Sequence, residues 1–298
     1  MPSDLNGRVV FITGPARGIG AALARALAAR GARLALAGLE PQLLAALASE
    51  LGPAHAWFEC DVTDQAALER AVAGAVEKLG GIDVVVANAG IASHGTVAVT
   101  PVAALARVIE VDLVGVVRTV HATLPHLVAR RGYALLISSA AALAPMPGLA
   151  AYAAAKAGVE QFANALRLEV AHKGVAVGSA HPCWIETDLV RDARQDLRAF
   201  DEMVGRLPGP FSRVTSVERC AAALLGAIEK RKRKVFVPRS LGAFAALRSL
   251  MTSPLAEWIM RRDAARLLPG LEAEMSGLGR AFGAHSVEST PGGKDAPS

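Results

Sequence analysis

The chain has only three cysteines in 298 residues, Cys60, Cys183 and Cys220, far apart and without CxxC spacing. That pattern excludes a disulfide framework and a zinc site and leaves buried free thiols as the reading. The seven histidines form no HExxH or other metal-ligand spacing, so no metal is expected. No run of 18 residues lacks a charge, a proline or a glycine, which excludes a bilayer-spanning helix. The opening "MPSDLNGRVVFITG" lacks the charged-then-apolar pattern of a secretory signal, and a cytoplasmic protein is expected. The formal charge of +5 is concentrated in "KRKRK" at 230–234 rather than spread along one face, so it reads as a solvated helix end and not as a nucleic-acid surface.

What the chain does have is apolar bulk: 52% of its residues are hydrophobic, enough for one large α/β domain with an appendage. Short β-branched runs alternate with alanine- and leucine-rich helical stretches, the pattern of βαβ units and a parallel sheet covered on both faces. The strand candidates are "RVVFIT" from Arg8, "RLALA" from Arg33, "HAWFE" from His55, "IDVVVAN" from Ile82, "YALLIS" from Tyr133, "VAVGSA" from Val175 and "VFVP" from Val235. Seven strands predict a doubly wound, Rossmann-like fold. The longest helical stretch runs over 101–131, with Pro125 bending its last turns. Residues 1–240 form the expected dinucleotide-binding and catalytic domain, 241–285 a helical extension, and 286–298, "SVESTPGGKDAPS", a disordered tail.

The first strand candidate runs into "TGPARGIGAALARAL", which puts Gly14, Gly18 and Gly20 at the mouth of a helix. Glycines allow the tight turn and let backbone N–H groups reach a pyrophosphate at the positive helix N-terminus. The spacing is the reverse of GxGxxG. That order, TGxxxGxG, resembles the short-chain dehydrogenase/reductase family, and the resemblance covers about residues 7–238. "DV" at Asp61 and Val62 resembles the family's adenine contact, "NAG" at Asn88, Ala89 and Gly90 the turn closing its cofactor site, and "PCWIET" from Pro182 to Thr187 its PGxxxT turn beside the nicotinamide. Sugar-nucleotide epimerases also use YxxxK, but with a glycine spacing this chain lacks.

Two scarce residue types meet in "AYAAAKAGVEQF". Tyr152 and Lys156, from two tyrosines and seven lysines, stand four apart on a helix and so share a face. A carbonyl needs a proton donor to accept hydride efficiently, and a nearby ammonium lowers the phenol's pKa from about 10 towards neutrality. Ser139 precedes Tyr152 by 13 residues at the end of a strand, the spacing of the family's serine, whose hydroxyl would hold the substrate oxygen. Ser138 points to the opposite face of a regular strand and reads as structural. The resemblance implies hydride transfer with Tyr152 exchanging the proton, and Lys156 also binding the nicotinamide ribose.

Three positions depart from the family pattern. Asp112 stands in "VDLVG" where many members carry an asparagine that helps hold a proton-relay water; a carboxylate can accept but not donate, and its charge favours the protonated lysine. Cys183 replaces the glycine of the PG turn. Gly38 ends "LALAG" where NAD selectors carry a carboxylate for the ribose 2′-OH. With Arg17 in the glycine loop resembling the basic residue of NADP-preferring members, NADP is favoured over NAD. Leu39 stands where many of those have arginine, and Glu40, just before Pro41, reads first as a helix start and in a second reading as a ribose contact. The family's cofactor contacts would therefore fall on Gly14, Ala16, Arg17, Gly18, Ile19, Gly20, Gly38, Asp61, Val62, Asn88, Ala89, Gly90, Tyr152, Lys156, Pro182, Ile185 and Thr187.

Family substrate pockets lie between the catalytic face, the loop after the sixth strand and the C-terminal segment, which here offer His94, Met146, Leu149, Trp184 and the stretch 185–210. Most are apolar, so a hydrophobic alcohol or ketone is expected. The extension packs against the domain or a second subunit in the first reading; in a second its stretch 241–260 covers the pocket or lies on a membrane surface. A homodimer or homotetramer follows from the resemblance. The alternative function is a noncatalytic dinucleotide-binding regulator or membrane-associated protein on the same fold.

Overall fold

The computed structural model describes residues 4–206, 209–248 and 253–283. Seven strands form one parallel sheet: β1 (Val9–Thr13), β2 (Arg33–Gly38), β3 (Ala56–Glu59), β4 (Val84–Ala87), β5 (Tyr133–Ile137), β6 (Ala176–Pro182) and β7 (Lys234–Val237). Their spatial order is β3-β2-β1-β4-β5-β6-β7, with every neighbouring pair parallel. All seven strand expectations fall on observed strands.

Because side chains alternate along a strand, the wholly buried β1 feeds two cores. Val10 and Ile12 face one helical layer, from which Leu23 and Leu27 of α1 (Gly18–Ala28) and Leu224 and Ile228 of α9 (Val217–Glu229) pack down. Val9 and Phe11 face the other layer. There Leu68 and Val72 of α3 (Gln65–Leu79), Val120 and Leu127 of α5 (Gly115–Arg130), and Val159 and Leu166 of α6 (Ala150–Val170) close the second core. The remaining helices of the domain are α2 (Pro41–Leu51), α4 (Val102–Ile109), α7 (Asp188–Asp196) and α8 (Arg198–Arg206).

One expectation changes in detail. The single long helix over 101–131 is instead α4 and α5 joined by a π turn, Glu110–Val114, in which the Gly115 N–H reaches back to the Glu110 carbonyl. The extension is helical, with α10 (Leu241–Ala246) and α11 (Pro254–Leu278), and α11 packs on α8 of the domain. The tail expected over 286–298 lies outside the described residues. Among the described residues no helix is long and apolar enough to cross a membrane.

Candidate active site

β1 and β4 are the point where the strand order reverses, and in such sheets a crevice forms beyond the carboxyl ends of the strands. The cleft here is lined by the turns after β1, β2, β3, β4, β5 and β6. Gly14 and Gly18 adopt φ of 63° and 51°, the left-handed region that favours glycine. At Gly20 packing decides: a Cβ would stand 2.4 Å from the Gly14 carbonyl oxygen. Arg17 is the N-cap of α1 yet gives its N-terminus no side-chain cap, so the backbone N–H groups of Gly18 to Gly20 open onto the cleft. A glycine cradle with an uncapped helix N-terminus fits a pyrophosphate.

The wall of the cradle comes from β4. The Asn88 side-chain amide donates to the Thr13 carbonyl at 3.0 Å and the Gly14 carbonyl at 2.9 Å, while the backbone N–H groups of Asn88 and Ala89 donate to the Thr13 hydroxyl at 3.0 and 3.2 Å. At the opposite end Asp61 is held by Thr63 N–H at 2.8 Å and by Arg107 at 3.2 Å. Arg107, from α4, lines the cleft without any motif to announce it. Val62 packs on Gly115, where a Cβ would stand 2.8 Å from its methyl, so the glycine of "VDLVG" is a close approach between π turn and cleft.

Ile19, Gly38, Gly90, Pro182, Ile185 and Thr187 also line the cleft, whereas Ala16 packs against the hydrophobic core. Cys183 has ordinary negative φ, so that position needs no glycine; its thiol is half-buried rather than buried, and burial pushes it up to about 11. Glu40 stands at the N-cap of α2 without capping it. Its carboxylate instead pairs with the Arg17 guanidinium at 2.7 Å, within the same end of the cleft.

Ser139, Tyr152, Lys156 and Asp112 converge at the other end. The Ser139 hydroxyl accepts the Ala141 N–H at 3.1 Å. Ser138 turns away, donating to the Lys156 carbonyl at 2.7 Å and tying α6 to β5. Lys156, 3% exposed, donates to the Ile137 carbonyl at 3.1 Å, and its Nζ stands 3.0 Å from Asp112 Oδ2 and 5.5 Å from the Tyr152 ring centroid. The π turn drops Asp112 into the core at 0% exposed, where Oδ1 accepts the Ile91 N–H at 2.8 Å. Burial opposes the charge on Lys156, but the Asp112 carboxylate and the Tyr152 phenol outweigh it and raise the ammonium. The Tyr152 phenol is raised on balance, chiefly by burial and also by the Asp112 carboxylate, against the lowering by the Lys156 ammonium and a Ser139 hydrogen bond.

Tyr152 also packs against an apolar cluster beyond the cleft. Met146, Leu149 and Trp184 lie in it, joined by Phe200 of α8, from the stretch 185–210, and by Leu271 and Met275 of α11, which were not singled out in the sequence. His94 meets Phe200 edge-on at 5.2 Å, and burial lowers its imidazole to about 4. The C-terminal segment is latched over this cluster by Thr96 to Glu272 at 2.7 Å, by Arg280 to Asp196 at 2.7 Å, and by a bridge between Ser93 and Phe282. Among the described residues no group of three or more His, Cys, Asp or Glu could hold a metal ion.

The family model described as short chain dehydrogenase matches residues 8–198. The 3-alpha-(or 20-beta)-hydroxysteroid dehydrogenase of Mycobacterium tuberculosis is 33% identical over 70% of this chain and 80% of its own. Glycine betaine reductase ATRR of Emericella nidulans is 37% identical over 62% of this chain, which spans 15% of that longer protein. A crystal structure of a short chain dehydrogenase/reductase from Burkholderia phymatum in complex with NAD superposes with a TM-score of 0.73 at 22% identity, covering 84% of this chain and 95% of that one, which is a likeness of fold.

Proposed function

The chain belongs to the short-chain dehydrogenase family, and from that premise we propose that it interconverts a hydroxyl and a carbonyl on a hydrophobic substrate, with Tyr152 exchanging the proton. As a family member it is an NAD(P)-dependent oxidoreductase acting on CH–OH groups. The reading of the site is supported by one observation above others: the Ser139, Tyr152 and Lys156 side chains share one cleft with the glycine cradle.

When bound, the dinucleotide supplies or takes up the hydride. In the reducing direction Tyr152 gives its phenolic proton to the carbonyl oxygen; in the oxidising direction it takes the hydroxyl proton. Ser139 Oγ donates to the same oxygen as charge develops on it. Lys156 supplies the positive charge that makes a phenolate attainable and, by the family resemblance, also holds the nicotinamide ribose.

NADP is favoured over NAD in this reading. Gly38 offers no carboxylate to repel a 2′-phosphate, and Arg17 can take one bidentately. The Glu40 pairing sets a limit, because the phosphate must compete with a carboxylate already 2.7 Å from that guanidinium. The apolar cluster around Tyr152, and the name of the hydroxysteroid dehydrogenase relative, support a hydrophobic alcohol or ketone. A homodimer or homotetramer in the cytoplasm completes the proposal. A contact with a membrane surface would fall to the outer half of α11, where Trp258 is 53% exposed with the Arg262 guanidinium 4.1 Å over its ring, and liposome cosedimentation tests it.

The deciding experiment is a screen of hydrophobic alcohols and ketones followed by nicotinamide absorbance with both cofactors. Turnover that disappears in Tyr152→Phe supports the assignment. Cofactor binding without turnover on any substrate favours the noncatalytic regulator instead.

A further inference from the structure

The family position that usually carries a neutral asparagine carries a carboxylate here, and the fold buries it completely against the lysine. Asp112 is 0% exposed and its Oδ2 stands 3.0 Å from the Lys156 ammonium, which is itself 3% exposed. Both side chains are almost wholly shielded from solvent. The π turn fixes Asp112 from one side and the Ile91 N–H, 2.8 Å from Oδ1, from the other. Gly90 completes the enclosure, since a Cβ there would stand 3.0 Å from Asp112 Oδ2 and 3.3 Å from Lys156 Nζ.

A buried charge pair at this distance acts on its neighbours largely as a dipole, and the field of a dipole falls faster than that of a lone cation. The charged and titratable groups facing the Tyr152 phenol are Lys156 on its own helix, Asp112 on the π turn, Ser139 after β5 and Cys183 after β6. Of these, Lys156 alone favours the phenolate through its charge, and Asp112 opposes it.

We propose that Asp112 is a positioning residue that withholds part of the Lys156 charge from Tyr152, so that the phenol keeps its proton through neutral pH. Carbonyl reduction, which consumes that proton, then runs at full rate across the neutral range, and alcohol oxidation, which needs the phenolate, rises only in alkali. This deepens the Ser139, Tyr152 and Lys156 assignment and rests on it for the kinetic consequence.

The composition of the chain makes the proton directly observable. It contains two tyrosines, and the other, Tyr133, is 1% exposed with its phenol held by burial far above the ordinary range. In a rapid pH-jump absorbance titration the Tyr152 midpoint is the one that is absent from Tyr152→Phe. Asp112→Asn, which keeps the acceptor for the Ile91 N–H, is expected to lower that midpoint by about one pH unit, a tenfold weaker hold on the proton. Asp112→Ser, which removes the charge with a different shape, is expected to move it the same way. With 1-phenylethanol as probe, the alkaline rise in oxidation kcat/KM follows the same displacement. A midpoint in both variants equal to or above that of the unsubstituted protein overturns the proposal. Displaced midpoints with no turnover on any alcohol overturn the enzymatic reading and leave the proton coupling standing.

Discussion

The Asn88 side chain clamps the glycine turn to the neighbouring strand, its amide donating to the Gly14 carbonyl at 2.9 Å across the point where the strand order reverses. Asn88→Asp keeps the shape but replaces two donors with a carboxylate that faces two carbonyl oxygens. Dinucleotide affinity, measured by fluorescence titration, is expected to fall at least about tenfold, with a loss of about 1–3 kcal/mol in denaturant unfolding.

Tyr152→Phe removes one oxygen from the site. Turnover is expected to drop by about 100-fold or more, as for loss of a general acid, while dinucleotide affinity stays within about twofold. Parallel steady-state kinetics and binding titrations check it; equal losses in both would place Tyr152 in binding instead.

Cofactor choice can be pushed either way. A Cβ at Gly38 would meet its nearest atoms at 3.7 Å, ordinary contact, so the missing carboxylate is not enforced by packing. Gly38→Asp is expected to shift the NADP/NAD ratio of kcat/KM towards NAD by about tenfold or more, the scale of a charge repulsion of about 1.4 kcal/mol. Glu40→Gln frees Arg17 and is expected to shift the same ratio towards NADP.

His94 links pH to stability. Its imidazole is lowered from 6.5 to about 4, chiefly by burial, so the unfolded chain takes up a proton before the folded one does. Its contribution is fully present above about pH 6.5 and is lost as pH falls towards about 4. Melting temperatures across that window are expected to decline less steeply in His94→Gln than in the unsubstituted protein.

Met275 and Leu271 test how α11 serves the domain. Both are buried against Leu149 and Phe200, and truncating either to alanine is expected to cost about 2–5 kcal/mol at a well-packed position. Chemical denaturation checks this. A cost confined to well under 1 kcal/mol would show that the extension can lift from the domain at little expense.

The local rules of the chain were legible in its order of residues. The seven strands announced themselves as short β-branched runs between helical stretches, because burial on both faces requires near-continuous apolar strands. Tyr152 and Lys156 could be paired from spacing alone, because helix geometry brings residues four apart to one face. Gly14 and Gly18 could be read as a tight turn from their place between a strand and a helix. Ser139 could be separated from Ser138 because strand side chains alternate.

What spacing could not supply were contacts between distant segments. Asp112 reaches Lys156 across 44 residues of chain through a π turn that no periodicity marks. Glu40, readable as a helix start or as a ribose contact, meets Arg17 because β1 and β2 lie side by side. Leu271 and Met275 join the cluster around Tyr152 only because the extension folds back onto the domain, where Phe200 of α8 meets them. Sequence alone thus determined the elements and the residues local geometry can pair. Tertiary structure decided which charges share a buried site, because that depends on the order of strands and the path of the chain over them, which no local interaction encodes.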